Sequence, residues 1–352
     1  MSRSNRPSGL EFSRVLLLIV WFAATVYAQG GWVKLAPFPQ PAEEISGTAA
    51  GGKMYVFAGL APVWKPVGMV YEYDPTTDHW TKKRPMALPS HHVAFTSYHD
   101  KIYAFGGFVL PESGPPAWVP IDNAWEYDPV ADTWKALAPM PTKRGSALAA
   151  AVGDLIYVIG GATTILGSKE TAVHPARPQM SVGTVEEYDP LKNTWRERSP
   201  MPTPRNHAAI GVVNGKIYVI GGRVGAAFIG LASDISVVEE YDPSTDQWGA
   251  PRARMPTARS AIGAGVYDGR IYVAGGEYQD PHMMATFRAV EAYDPGTNTW
   301  SEIPPMPVSR HGLAVGVIGN RLHVVSGDVQ SAGTGVEVSS GEHDVYEFAE
   351  GK

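Results

Sequence analysis

The feature that most constrains this chain is an internal repeat. A Tyr followed by Asp-Pro recurs at Tyr73, Tyr127, Tyr188, Tyr241 and Tyr293, and a weaker echo, Val345-Tyr346-Glu347-Phe348, closes the series. The Tyr spacings are 54, 61, 53, 52 and 53 residues. Seven residues after each full copy stands a Trp: Trp80, Trp134, Trp195, Trp248 and Trp300. Upstream of each Tyr lies a short apolar run ending in glycine, over residues 54–59, 102–107, 156–161, 217–222, 271–276 and 322–327. A fixed period of about 50 residues marks stacked units, each too small to bury its own faces alone.

Each part of the unit has a physical reading. Runs such as Ile217-Tyr218-Val219-Ile220 are β-branched and aromatic and bounded by turn residues, the pattern of a strand buried on both faces. Asn214-Gly215 and Asp268-Gly269 precede two of the runs and are strong two-residue hairpin signals, so a further antiparallel strand comes before. The glycine pair after each run suits a place where backbone crosses backbone and a Cβ would collide. Asp-Pro then opens the turn that joins a Tyr strand to a Trp strand. One unit is therefore four antiparallel strands, called a, b, c and d from first to last. Radial stacking covers both faces and protects the edges of such sheets. The chain is expected to be an all-β, six-bladed propeller. Its sixth unit stops at Phe348 without a Trp, and Gly31-Trp32-Val33-Lys34 supplies one from the other end. An N-terminal strand is thus expected to close the ring. At 352 residues the chain still fits a single domain of this kind.

The opening segment bears on compartment. Arg3, Arg6 and Arg14 precede an apolar run over residues 15–28, and Val26-Tyr27-Ala28 offers small residues where a signal peptidase reads. That run of 14 residues is short for a membrane span, which takes about 18 or more. Residues 1–28 are read as a signal peptide and 29–352 as the propeller, giving a secreted or periplasmic protein with no membrane association after cleavage. Loss of residues 1–28 leaves 26 basic against 34 acidic side chains, which disfavours nucleic acid and anionic membrane as partners. No cysteine is present, so the fold must hold by packing and pairing alone, and thiolate chemistry is excluded. A monomer without a cofactor is expected.

In a four-stranded meander the a–b and c–d turns share one face, while the b–c loops and the d–a crossings share the other. The long connections, residues 108–123, 162–183, 223–236, 277–289 and 328–343, all fall on this second face. Irregular loops on a rigid frame tend to carry function, so this face is the candidate. Its crossings repeat an Arg at Arg144, Arg205, Arg259 and Arg310. A group repeated by so many blades reads as structural, bonding loop carbonyls or a neighbouring carboxylate.

The double glycine, the Tyr and the later Trp resemble the kelch repeat over roughly residues 30–350. Ala58-Gly59 and Ser326-Gly327 replace the glycine pair in blades 1 and 6. The resemblance implies a ligand funnel lined by the residue after each crossing Arg and the residue after each glycine pair. The first set reads Glu43, His91, Gly145, Asn206, Ser260 and His311, and the second Leu60, Phe108, Ala162, Arg223, Glu277 and Asp328. Of these, His91, Asn206, Arg223, Ser260, Glu277, His311 and Asp328 form the candidate ligand-binding set, and Arg223 is the one basic residue among the six after the glycine pairs.

Gly-x-Ser-x-Gly, His-Glu-x-x-His and phosphate-cradling loops are absent from the sequence. Glu277, Asp280 and His282 lie close in sequence but read as a solvated loop, and no metal site is expected. The leading expectation is a binding module that takes a glycan or partner protein on the funnel face, helped by Trp64, Trp118 and Trp125. The alternative is a carbohydrate-active enzyme of the sialic acid epimerase or mutarotase type, with a funnel His or carboxylate as acid and base. Export is checked by mass spectrometry of secreted or periplasmic protein. The mature chain should begin near Gln29, and an intact Met1 in membrane fractions would contradict the signal-peptide reading.

Overall fold

The computed structural model describes Met1, residues 30–62 and residues 64–349, so the expected signal peptide lies outside the described residues. The six glycine-terminated runs form the b strands Lys53–Ala61, Lys101–Phe105, Leu155–Ile159, Lys216–Ile220, Arg270–Ala274 and Arg321–Val325. Their central residues are buried on both faces, as the unbroken apolar pattern requires. Each b strand pairs antiparallel with an a strand before it and a c strand after it. The a strands are Glu43–Ala50, Ala94–Tyr98, Leu148–Val152, Ala209–Val213, Gly263–Tyr267 and Ala314–Ile318. The c strands are Lys65–Asp74, Ala124–Asp128, Val185–Asp189, Val238–Asp242, Val290–Asp294 and His343–Glu347. In blades 1 to 5 a d strand completes the sheet: His79–Lys82, Thr133–Ala136, Thr194–Arg198, Gln247–Trp248 and Thr299–Glu302.

Blade 6 takes its d strand from the other end of the chain. Gly31–Lys34 pairs antiparallel with His343–Glu347, and Trp32 stands opposite Tyr346 in the register. Around the axis each a strand abuts the a strands of both neighbouring blades, so the ring is closed. Crowding there selects small residues. A Cβ on Gly211, in blade 4, would meet Ile271 of blade 5 at 2.8 Å. The glycine pairs are also sterically required. Gly160 and Gly161 have φ of 67° and 110°, and a Cβ on Gly161 would lie 2.9 Å from the Gly145 carbonyl. Ala58 and Ser326 keep the same left-handed backbone, at φ of 69° and 52°, in spite of their side chains.

Blades are joined by a clamp written in the Tyr, Asx and Trp of the repeat. In blade 2, Asp132 Oδ1 accepts the Tyr127 hydroxyl at 2.7 Å and the backbone N–H of Arg84 at 2.9 Å. The Trp134 indole N–H donates to the carbonyl of the same Arg84 at 3.3 Å. One residue of the incoming crossing is thus held by both its backbone groups. Ala36 is gripped in this way by Asp78 and Trp80, Ala138 by Asn193 and Trp195, Ser199 by Asp246 and Trp248, and Ala253 by Asn298 and Trp300. The gripping Asp and Asn residues all have φ between 49° and 56°, a left-handed conformation these side chains tolerate. At the seam Trp32 donates to Pro304 O at 2.7 Å. Pro304 has no N–H to offer an Asx, so the sixth clamp needs only its Trp half.

The clamp Trp residues are mostly half-buried rather than wedged fully between blades; Trp80, at 6% exposed, is the buried one. Replacing Trp32 by Ala should therefore cost about 2 kcal/mol, near half the value for a fully buried aromatic. Trp248→Ala, in an equivalent setting, should cost the same within about 1 kcal/mol in urea melts. A neutral Trp32→Ala beside a costly Trp248→Ala would contradict closure through the N-terminal strand.

Candidate functional site

The d–a crossings lead the chain to the axis, and their arginines fix how it arrives. Arg144, Arg259 and Arg310 are wholly buried. Arg144 Nη1 lies 2.6 Å from Glu186 Oε2 and its Nη2 donates to the Val158 carbonyl at 3.1 Å. Arg259 meets Glu291 at 2.5 Å and the Val273 carbonyl at 3.2 Å, and Arg310 meets Asp344 at 2.9 Å. Arg205 pairs with Glu239 in the same way. The repeated Arg is a structural ion pair to the c strand of the blade it enters.

The two residue sets expected to line a funnel are partners of one another. His91 bridges Phe108, Gly145 bridges Ala162, Asn206 bridges Arg223, Ser260 bridges Glu277, and His311 bridges Asp328, each pair antiparallel. Glu43 faces Leu60 in the same register in blade 1. The structure thus gathers all seven candidate residues into one tier, but the tier is closed over: each is buried, Arg223 at 2% exposed being the most accessible.

Within the tier some polar groups pair with one another, while Ser260 Oγ and both ring nitrogens of His311 make no hydrogen bond. Arg223 Nη1 is 3.3 Å from Glu277 Oε1, and Glu277 Oε2 accepts the Ser331 hydroxyl and the Ala332 N–H, both at 2.9 Å. His311 Nε2 lies 3.8 Å from Glu277 and 3.6 Å from Glu43, carrying the network across the seam. Asn206 Nδ2 donates to Ser181 Oγ at 2.8 Å and to the Ala226 carbonyl at 2.9 Å, and Asp328 accepts the Gln330 N–H at 2.6 Å. His91 stands apart, its ring 5.1 Å from that of Trp118. Burial, and then the neighbouring carboxylates led by Glu44, pushes Glu43 well above the usual carboxylate range. Removing Arg223 would strand a buried carboxylate at Glu277, so this side chain supports the fold as well as facing the cavity above it.

That cavity, of about 540 Å³, is roofed by the b–c connections of several blades. The connections extend past the main sheets as short ribbons, Phe108–Val109 with Val119–Pro120, Ala162–Thr164 with Gln179–Ser181, Arg223–Val224 with Ser233–Asp234, and Glu277–Gln279 with Met284–Thr286. Trp64, Trp118, Ala227, Phe228, Leu231 and Val336 give it apolar walls, while Arg223, Glu43, Glu44 and Glu337 bring ionisable groups. Of the seven candidates only Arg223 reaches the cavity wall. Trp118 is buried and stacks on Phe228 at 4.1 Å between ring centroids, whereas Trp64 is half-exposed at the rim. Trp125 lies in the c strand Ala124–Asp128 and packs on the interblade core.

A second tier, one residue further along each crossing, escaped the sequence reading. Glu44, His92, Ser146, His207, Ala261 and Gly312 all adopt left-handed backbone, with φ between 50° and 57°. They hydrogen-bond in series around the axis, Ser146 N to His92 O, His207 N to Ser146 O, Ala261 N to His207 O and Gly312 N to Ala261 O. Strand alternation would turn these side chains away from their predecessors, but the positive φ breaks the alternation. Within the ring, Glu44, His92 and His207 approach so closely that one ligand atom from each lies within 4.8 Å of the others. Burial would raise the Glu44 carboxyl, yet the facing His92 imidazole holds it well below the usual range. Burial, with Arg223 and His92 assisting, keeps His207 well below the ordinary histidine value and therefore neutral. Glu277, Asp280 and His282 do not assemble: Asp280 accepts the His282 N–H at 2.7 Å in a turn while Glu277 points inward.

Comparisons with known proteins agree with this architecture. The Attractin/LZTR1 beta-propeller family model matches residues 28–228, more than half of the chain, and the KLHDC2/KLHL20/DRC7 kelch-repeats model matches residues 176–327. Kelch-like protein terF of Aspergillus terreus is 28% identical over 84% of this chain and 62% of its own length. Kelch-like protein 15 of Danio rerio is 31% identical over 70% of this chain and 40% of its own. The chain thus spans less than two thirds of the length of these curated relatives. The solved structure of YjhT superposes with a TM-score of 0.71 over 88% of this chain and 96% of that one, at 16% identity, which is a likeness of fold. The chain belongs to the kelch-repeat β-propeller family.

Proposed function

We propose that the chain is an exported, noncatalytic binding module that captures a partner protein on the face formed by its b–c connections. The observation that carries this reading is where apolar side chains are left in water. Among the described residues, seven of the eleven exposed large hydrophobics lie on these connections: Ile165, Leu166, Leu231, Met283, Met284, Val336 and Val338. Such clustering on one face of a rigid frame marks an interaction surface. Leu231 and Val336 also wall the cavity, so the surface has a recess in which an anchoring side chain can be buried. Glu44, held ionised at the recess, favours an apolar partner segment carrying a basic group beside its anchor. Arg223 is the polar contact at the wall, held from below by Glu277 and by its backbone pairing with Asn206.

A glycan ligand is the second reading, favoured by the half-exposed Trp64 ring, on which a sugar can stack. Catalysis on a carbohydrate is the third, and sugar-anomer exchange followed by NMR separates it from binding because only an enzyme gives turnover. Peptide display against the mature chain tests the leading reading. Enriched peptides should share an apolar anchor next to Lys or Arg and should lose at least about tenfold in affinity to Leu231→Asp or Val336→Asp, the value of roughly 1.4 kcal/mol. Val130→Asp and Leu191→Asp, at c–d turns on the opposite face, should bind as the parent does. Enrichment indifferent to Leu231 and Val336, or binding only in a glycan panel, would overturn the protein-partner reading.

A further inference from the structure

We propose that Glu44, His92 and His207 form a binding site for a divalent first-row transition-metal ion, with Zn²⁺ the best match, at the mouth of the axial channel. The site is argued from its own geometry, and it shares only Glu44 with the partner-binding recess. Its three ligands come from blades 1, 2 and 4, and the left-handed backbone ring just described brings them together. One donor atom from each lies within 4.8 Å of the other two, close enough for small shifts to place all three on one ion. Two imidazoles and a carboxylate are a donor set that borderline metals favour over Ca²⁺ or Mg²⁺.

The hydrogen bonds behind the ligands point the same way. Asn206 Nδ2 is committed to the Ala226 carbonyl, which can only accept, so its Oδ1 is the atom that meets His207 Nδ1. Nδ1 must therefore carry the proton, leaving the lone pair of His207 on Nε2, toward the cluster. This is how an outer group orients a metal-ligating imidazole. His92 Nδ1 is in contact with His91 Nδ1, so this ring too is held from behind. His92 Nε2 is buried and makes no hydrogen bond, although Glu44 Oε2 is only 3.1 Å away. A ring nitrogen and a carboxylate oxygen at this separation can share one cation between them.

There is also room for a further ligand. A cavity of about 170 Å³ borders Glu44 and His207 and extends down the channel, enough for a metal-bound water. Ser146 Oγ, 3.4 Å from His207 Nε2, stands where it can hydrogen-bond to such a water. The remaining ring positions are Ala261 and Gly312, whose side chains bring no competing charge. Sequence spacing hides this site because its members are 48 and 115 residues apart, and because each sits one place beyond the residues that strand alternation singles out.

Chelator-stripped full-length chain titrated with Zn²⁺ in a calorimeter tests the site, with Co²⁺ as the spectroscopic stand-in. One equivalent should bind, and the Co²⁺ form should show visible ligand-field bands. His92→Ala, His207→Ala and Glu44→Gln should each weaken binding by at least about tenfold. His282→Ala, in the exposed loop of blade 5, should change nothing. X-ray absorption on the Zn²⁺-loaded parent, which needs no variant to fold, should find two imidazoles in the coordination shell. Absence of stoichiometric binding, a shell without imidazole, or affinity that falls with His282→Ala and not with His207→Ala would overturn the proposal.

Discussion

Everything in this molecule depends on how one blade holds the next. A four-stranded sheet of this size cannot cover its own faces, and the ring exists only because each interblade joint is both apolar and specific. Apolar packing supplies most of the free energy, with residues such as Phe57, Val93 and Tyr127 sharing one core across the joint between blades 1 and 2. Specificity comes from the clamp, in which an Asx oxygen takes a backbone N–H and a Trp takes the carbonyl of the same residue. Burial alone would raise the Asp132 carboxyl, but the Tyr127 hydroxyl and the Arg84 N–H outweigh it and hold the pKa below the ordinary value. A carboxyl held low in the folded state contributes stability that is present at neutral pH and is lost as pH falls through its folded pKa.

The axial architecture follows from these joints. With the crossings gripped on the outside, the buried Arg–carboxylate pairs set the direction in which the chain enters the channel, and two tiers of side chains result. The first is a chain of charged contacts running from Arg223 through Glu277 and His311 to Glu43. The second is the left-handed ring carrying Glu44, His92 and His207. Above both, the b–c ribbons build a cavity whose walls come from residues such as Trp64, Phe228 and Val336, drawn from three blades.

The parts of this design that recur were legible in the sequence. Five Tyr-to-Trp units with glycine-terminated runs led to six blades, and the unmatched Trp32 led to closure by the first described strand, which the register with Tyr346 bears out. The pairing of His91 with Phe108, or Asn206 with Arg223, came only with the structure. What occurs once did not announce itself. Arg223 stood out as the one basic residue after the glycine pairs, but its burial against Glu277 depends on a partner from another blade. The Glu44, His92 and His207 cluster was missed because a positive φ shifts the inward-facing position by one residue. Ser90-His91-His92 and Arg205-Asn206-His207 carry the only available signal, a polar pair directly after the crossing.

The most direct test of the clamp lies at Asp132. Its carboxylate acts through one oxygen, and Asn193 and Asn298 do the same work in blades 3 and 5. Asp132→Asn should therefore leave the free energy of unfolding within about 0.5 kcal/mol of the parent, whereas Asp132→Ala, stranding the Tyr127 hydroxyl and the Arg84 N–H, should cost about 2–3 kcal/mol in urea melts. If the alanine variant were as stable as the asparagine variant, the ring would not be held by this clamp.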